Sequence, residues 1–146
     1  MKFEKNGYLA KGIYELTWEE FISEFSFSPR RKYLISGLEK VVKILKEANC
    51  ECIFINGSFI SDKLEPNDWD ACFKDTYYMN DYLYNKYPEL FDQYKCKEKY
   101  FGDLFQANAI TDISTEIRFL DFFQRIKQSR RTKKTIEFKG IVSIKL

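Results

Sequence analysis

The sequence predicts a mixed α/β (α+β) protein, a small mixed β-sheet flanked by helices. One long stretch, residues 28–49, carries apolar residues at three- and four-residue spacing. Shorter stretches at 51–56, 68–73 and 136–146 are apolar or alternate every second residue, as strands do. Helical and strand patterns interleave along the chain, so both are expected in one layered core. The 146 residues make a single domain over 1–146 the expectation. A hydrophobic share of 45% beside a charged share of 32% excludes a disordered chain.

Taken in order, residues 1–16 read as extended and loop-like, with Gly7 and Gly12 as turn points. Thr17 then caps a short helix ending near Phe25, with Glu20 returning the bond and Leu16 and Phe21 forming a hydrophobic staple. Ser28 and Pro29 start a second helix as N-cap and first helical residue. Its apolar face is Leu34, Leu38, Val41, Val42, Leu45 and Ala48, with Arg31 and the other charged residues mostly elsewhere. Strands follow at Glu51–Asn56 and about Asp68–Phe73. Residues 77–94 are weakly helical, with a break before Pro88 and Leu83, Tyr87, Leu90, Phe91 and Tyr94 in the core. A third strand is predicted over Tyr100–Ala107, a helix over Thr115–Lys127 burying Ile117, Leu120 and Phe123, and a terminal strand through Ile136, Phe138, Val142, Ile144 and Leu146.

Composition narrows the chemistry. The chain has no His, which removes Ser-His triads and almost every His-containing zinc site. Acid–base work falls to Asp, Glu, Lys, Tyr, Cys or a metal-bound water. Cys50, Cys52, Cys72 and Cys96 show no Cys-x-x-Cys spacing and read as reduced thiols, Cys52 and Cys72 within apolar strands. No signal peptide or apolar run of membrane length is present, so no membrane partner and a cytoplasmic location are expected. A net charge of +2 is too small to argue for nucleic acid.

The stretch that carries chemistry is Ile53–Phe73. A strand ends in Gly57-Ser58, nine residues follow, and a second strand opens Asp68-Trp69-Asp70. Strand alternation puts Asp68 and Asp70 on one face and Trp69 on the other, where it serves the core. Two carboxylates held close repel unless a cation sits between them, and a hard ion such as Mg²⁺ suits such oxygens. The Gly-Ser turn offers backbone N–H groups and a hydroxyl to a phosphate. Together these point to phosphoryl or nucleotidyl transfer. The plainer readings are a strand starting at its solvent end and an ordinary Gly-Ser turn.

Gly-Ser, a gap of this length and Asp-hydrophobic-Asp resemble the signature of the nucleotidyltransferase superfamily related to polymerase beta. More narrowly, NGSFISDKLEPNDWD resembles the core of small bacterial proteins with a minimal version of that domain, as do GYLAKGIYELTWEEF, SPRRKYLISGL and KGIVSIKL. The resemblance implies the minimal nucleotidyltransferase fold and an Mg²⁺-dependent enzyme that moves an NMP from an NTP to an acceptor hydroxyl. It also implies a third carboxylate on a neighbouring strand. Asp103 is the first choice because it interrupts an apolar run; Asp112, Glu116 and Asp121 rank behind it. Asp68, Asp70 and Asp103 would hold a pair of Mg²⁺ ions, with Asp103 also a candidate general base. Gly57 and Ser58 would bind the β- and γ-phosphates, and Lys63 would neutralise phosphate charge or remain a solvated loop lysine.

The acceptor could be RNA such as tRNA, a protein or a small molecule. A role as a toxin or phage-defence component, with an antitoxin or other protein partner, also follows from the resemblance alone. The basic run RIKQSRRTKK at 125–134 would grip RNA or triphosphate, or form a solvated helix end. The alternative function is a nucleotide- or partner-binding module of the same fold without catalysis.

Overall fold

The computed structural model of the protein describes residues 1–111, 113–114, 116–126 and 136–146. Its centre is a five-stranded mixed sheet, ordered β1 (Gly12–Leu16), β5 (Gly140–Lys145), β2 (Cys52–Asn56), β3 (Trp69–Phe73) and β4 (Gly102–Gln106). The β1–β5 and β3–β4 pairs are parallel, whereas β5–β2 and β2–β3 are antiparallel. A mixed sheet with helices against it is therefore the observed architecture.

One sheet face forms the core. Ile53, Ile55, Trp69, Ala71, Phe73, Val142 and Ile144 pack with Phe21 and Phe25 of α1 (Trp18–Phe25) and Leu34, Leu38, Val41 and Leu45 of α2 (Pro29–Glu47). Both helices start as their sequences dictate. Thr17 and Glu20 form a reciprocal capping box, and the Ser28 hydroxyl accepts the Arg31 N–H with Pro29 at the first position. The helices α3 (Tyr77–Lys86) and α4 (Gln93–Tyr100) flank a 3₁₀ turn over Pro88–Phe91. Gly37 lets α2 and α4 approach closely, because a Cβ there would collide with the Tyr100 carbonyl. Among the described residues no helix is long and apolar enough to cross a membrane.

Several expectations are corrected. Residues 12–16 form an edge strand, not a loop; only alternate side chains are covered, and the partner strand lies at the far end of the sequence. Tyr94 is 79% exposed instead of core, because it sits on the solvent side of α4. The third strand begins at Gly102, as Tyr100 closes α4 and Phe101 turns the chain in a left-handed conformation (φ 69°). Among the described residues of the predicted 115–127 helix, only α5 (Phe119–Phe122) is helical. Residues 110 and 118 pair in a β-bridge, and Phe119 and Phe123 pack on Phe105 of β4 at 4.5 and 5.5 Å. Phe119 and Phe123, four residues apart on that one helical turn and joined by the Phe123 N–H to the Phe119 carbonyl, present the same face to Phe105. Ile136 and Phe138 are exposed and precede β5. Thr115, Asp112 and residues 127–135, which hold most of the basic run, lie outside the described residues.

Candidate functional site

On the sheet face away from the main core, strand register assembles a polar row. Asn56 of β2 lies opposite Asp70 of β3, and Asp70 lies opposite Asp103 of β4. Parallel pairing of β3 with β4 thus brings together carboxylates 33 positions apart in the chain. Asp68, one residue before β3, shares the Asp70 side, since Trp69 turns inward and donates its Nε1–H to the Tyr100 carbonyl at 2.7 Å. Asp68, Asp70 and Asp103 each present an oxygen within 4.8 Å of the others, and all are half-buried. Of the other carboxylates considered for this cluster, Glu116 and Asp121 are exposed and stand apart from it.

Such proximity is costly without a cation. Burial first, then the charges of Asp68 and Asp103, push the Asp70 carboxyl up to about 7. The Asp103 Oδ1 atom is buried with no hydrogen-bond partner, and so is Asn56 Nδ2. Buried polar atoms are rarely left so, and each is a place where a ligand atom would be satisfied. A hard divalent cation fits this oxygen set.

The charge present is Lys97. Its Nζ lies 2.9 Å from Asp68 Oδ2 and 3.2 Å from Asp103 Oδ2, and these carboxylates hold its pKa well above the usual lysine range. Sequence reading missed Lys97 because α4, QYKCKEKY, buries only Cys96 and Tyr100 and shows almost no apolar stripe. The cation predicted from sequence, Lys63, is exposed in the loop. What that residue contributes is its backbone carbonyl.

The loop itself is built around arginines. Gly57 opens a 3₁₀ turn over Gly57–Phe59 with φ +73°, and a Cβ there would collide with the Asp70 carboxylate. Glycine is thus required both by conformation and by close approach. Arg31, expected off the apolar face of α2, is fully buried. Its guanidinium donates to the carbonyls of Phe59 at 2.7 Å, Ser61 at 2.7 Å, Lys63 at 2.9 Å and Phe25 at 3.3 Å. Arg30 donates to Pro66 O and Asn67 O, and the Ser28 hydroxyl to Leu64 O. The Ser28-Pro29-Arg30-Arg31 segment therefore clamps the whole connection between the Gly57-Ser58 turn and Asp68.

A family model for DUF6932, a family of unknown function, matches residues 1–145. The chain belongs to that family. The DUF6932 match takes in the carboxylate row, the Gly57-Ser58 turn, the arginine clamp and Lys97 alike. No curated protein and no solved structure matches the chain.

Proposed function

We propose that this protein is an Mg²⁺-dependent nucleotidyltransferase that moves an NMP from an NTP to an acceptor hydroxyl on RNA, a protein or a small molecule. The observation that carries the reading is the register-built cluster of Asp68, Asp70 and Asp103 against the Gly57-Ser58 turn. Bound Mg²⁺ would supply charge neutralisation of the polyphosphate and of the attacking oxygen. The three carboxylates hold that charge in place, and the sheet fixes their spacing. Gly57 and Ser58 offer N–H groups and a hydroxyl to phosphate oxygens. The acceptor oxygen forms a bond to the α-phosphorus as the bond to pyrophosphate breaks. Its proton passes to a carboxylate, for which the bare Oδ1 of Asp103 is the candidate.

The test is incubation with labelled NTPs, Mg²⁺ and total cellular RNA or protein. Label transfer is expected, with loss of at least about a hundredfold in Asp68→Asn and Asp70→Asn. Lys97 favours a second reading, since its ammonium already satisfies two of the carboxylates. In that reading the fold binds a nucleotide or partner without catalysis, so NTP binding by calorimetry without transfer would select it. Absence of both Mg²⁺ and nucleotide binding would end both readings.

Lys97 also yields a prediction for the enzyme. Its side chain is about half exposed on a flexible stem, so it can leave the carboxylates at modest cost. Lys97→Met should tighten Mn²⁺ binding about tenfold, or about 1.4 kcal/mol, read by calorimetry. Equal or weaker binding would show that the lysine does not compete with the metal.

A further inference from the structure

Lys139 is only 8% exposed, an uncommon place for a lysine. Its backbone is pinned on both sides, by its own N–H to Gln124 O at 2.8 Å and by the Gly140 N–H to Leu9 O at 2.9 Å. The backbone is thus fixed, and burial of the residue keeps its side chain from trailing in solvent. Its Nζ sits 4.8 Å from the centre of the Tyr8 ring. Tyr8 forms a β-bridge with Ser61, whose hydroxyl donates to the Ser58 carbonyl. Asp70 lies in the space left by the missing Cβ of Gly57, and its charge is the one that acts on Lys139. One chain of contacts, through Tyr8 and Ser61 to Ser58, together with the charge of Asp70, thus leads from Lys139 to the side of the site where the Gly57-Ser58 turn stands.

Lys139 nevertheless has no ion-pair or hydrogen-bond partner for its ammonium among the described residues. Lys97 takes Asp68 and Asp103, while Asp70 reaches Lys139 only as a more distant charge. Burial lowers its pKa against that opposing charge. An ammonium on a largely buried stem, facing the Tyr8 ring and beyond ion-pair reach of Asp70, keeps charge that a substrate anion can take up. We infer that Lys139 is the residue that grips the polyphosphate of the bound nucleotide, beside the Gly57-Ser58 turn and opposite the metal-binding carboxylates.

The inference rests on the nucleotidyltransferase reading and deepens it by assigning the phosphate-binding cation. It also gives Lys139 a role distinct from that of Lys97. One lysine balances the carboxylates, and the other waits for the substrate's charge.

The test is calorimetric titration with the four α,β-methylene nucleoside triphosphates in Mg²⁺, which bind but cannot transfer at the α-phosphorus. The wild type is expected to bind at least one analogue, and K139M to bind it at least tenfold more weakly. K139R should recover most of that loss, because it restores the charge. Mn²⁺ binding without nucleotide should change by less than about threefold in K139M, which a general loss of structure would not allow. K139Q serves the same purpose should K139M fail to fold. Equal analogue affinity in the wild type and the neutral variants would overturn the inference and leave the carboxylate site standing. A wild type that binds none of the analogues would overturn this inference together with the reading it rests on.

Discussion

Asp70→Asn should stabilise the metal-free protein above neutral pH, and should abolish the stabilisation by Mn²⁺ that the proposed metal site predicts for the wild type. The reason is the density of charge in the polar row. The Asp70 carboxyl rises from 3.8 to about 7, first through burial and then through Asp68 and Asp103, with Lys97 and Lys139 only partly offsetting them. Each tenfold weakening of an acid corresponds to about 1.4 kcal/mol, so the ionised side chain costs on the order of 2–4 kcal/mol in the fold. The sign follows from proton counting. Between about pH 4 and pH 7 the folded state holds a proton on Asp70 that the unfolded chain has released. Stability contributed by this group therefore falls as pH rises through that window and levels off above it. Denaturant titrations at several pH values should show that slope difference between wild type and Asp70→Asn. Identical pH profiles for the two proteins would mean that the row is not electrostatically strained. A cation bound by the carboxylates should remove the slope in the wild type alone. A carboxylate whose charge is costly in the metal-free fold is thus one with much to gain from a cation, as at many functional sites.

Much of this arrangement was legible in the residues because local rules govern it. Capping chemistry placed both helix starts, and alternation placed β2, β3 and the face shared by Asp68 and Asp70. Asp103 stood out as a charge inside an apolar strand, and register then put it opposite Asp70. The parts that stayed hidden depend on distant partners. Residues 12–16 become a strand only because Gly140–Lys145 comes alongside. Lys97 and Lys139 matter because α4 and the approach to β5 converge on one sheet face, which no spacing rule records. Arg31 is the clearest instance. Arg30 beside it is only half-buried and Lys32 is exposed, and nothing in PRRK distinguishes the one that a loop more than 25 residues later folds around.

Arg31 carries the second large effect. Arg31→Met should destabilise the protein by at least about 3 kcal/mol, since it leaves buried carbonyls without donors at roughly 1–3 kcal/mol each. The carbonyls concerned belong to Phe25, Phe59, Ser61 and Lys63, and only partial rescue by water is open to them. The planar fork also stacks between Phe27 and Phe59, at 4.1 and 4.7 Å from the ring centres, a contact that methionine replaces only in part. For a chain of this size that loss lowers the melting midpoint by about 6–12 °C. Arg31→Lys keeps a charge but cannot reach divergent acceptors with one compact ammonium, so it should recover less than half of the loss. The effect should also be local. Amide exchange should quicken first in residues 58–67, the stretch between the Gly57-Ser58 turn and Asp68 that Ser28, Arg30 and Arg31 hold. If Arg31→Lys matched the wild type in both midpoint and loop protection, the fork geometry would be irrelevant and the clamp would reduce to charge. With the loop freed, Gly57 loses its fixed approach to Asp70, and the turn and the carboxylates no longer face each other as one site.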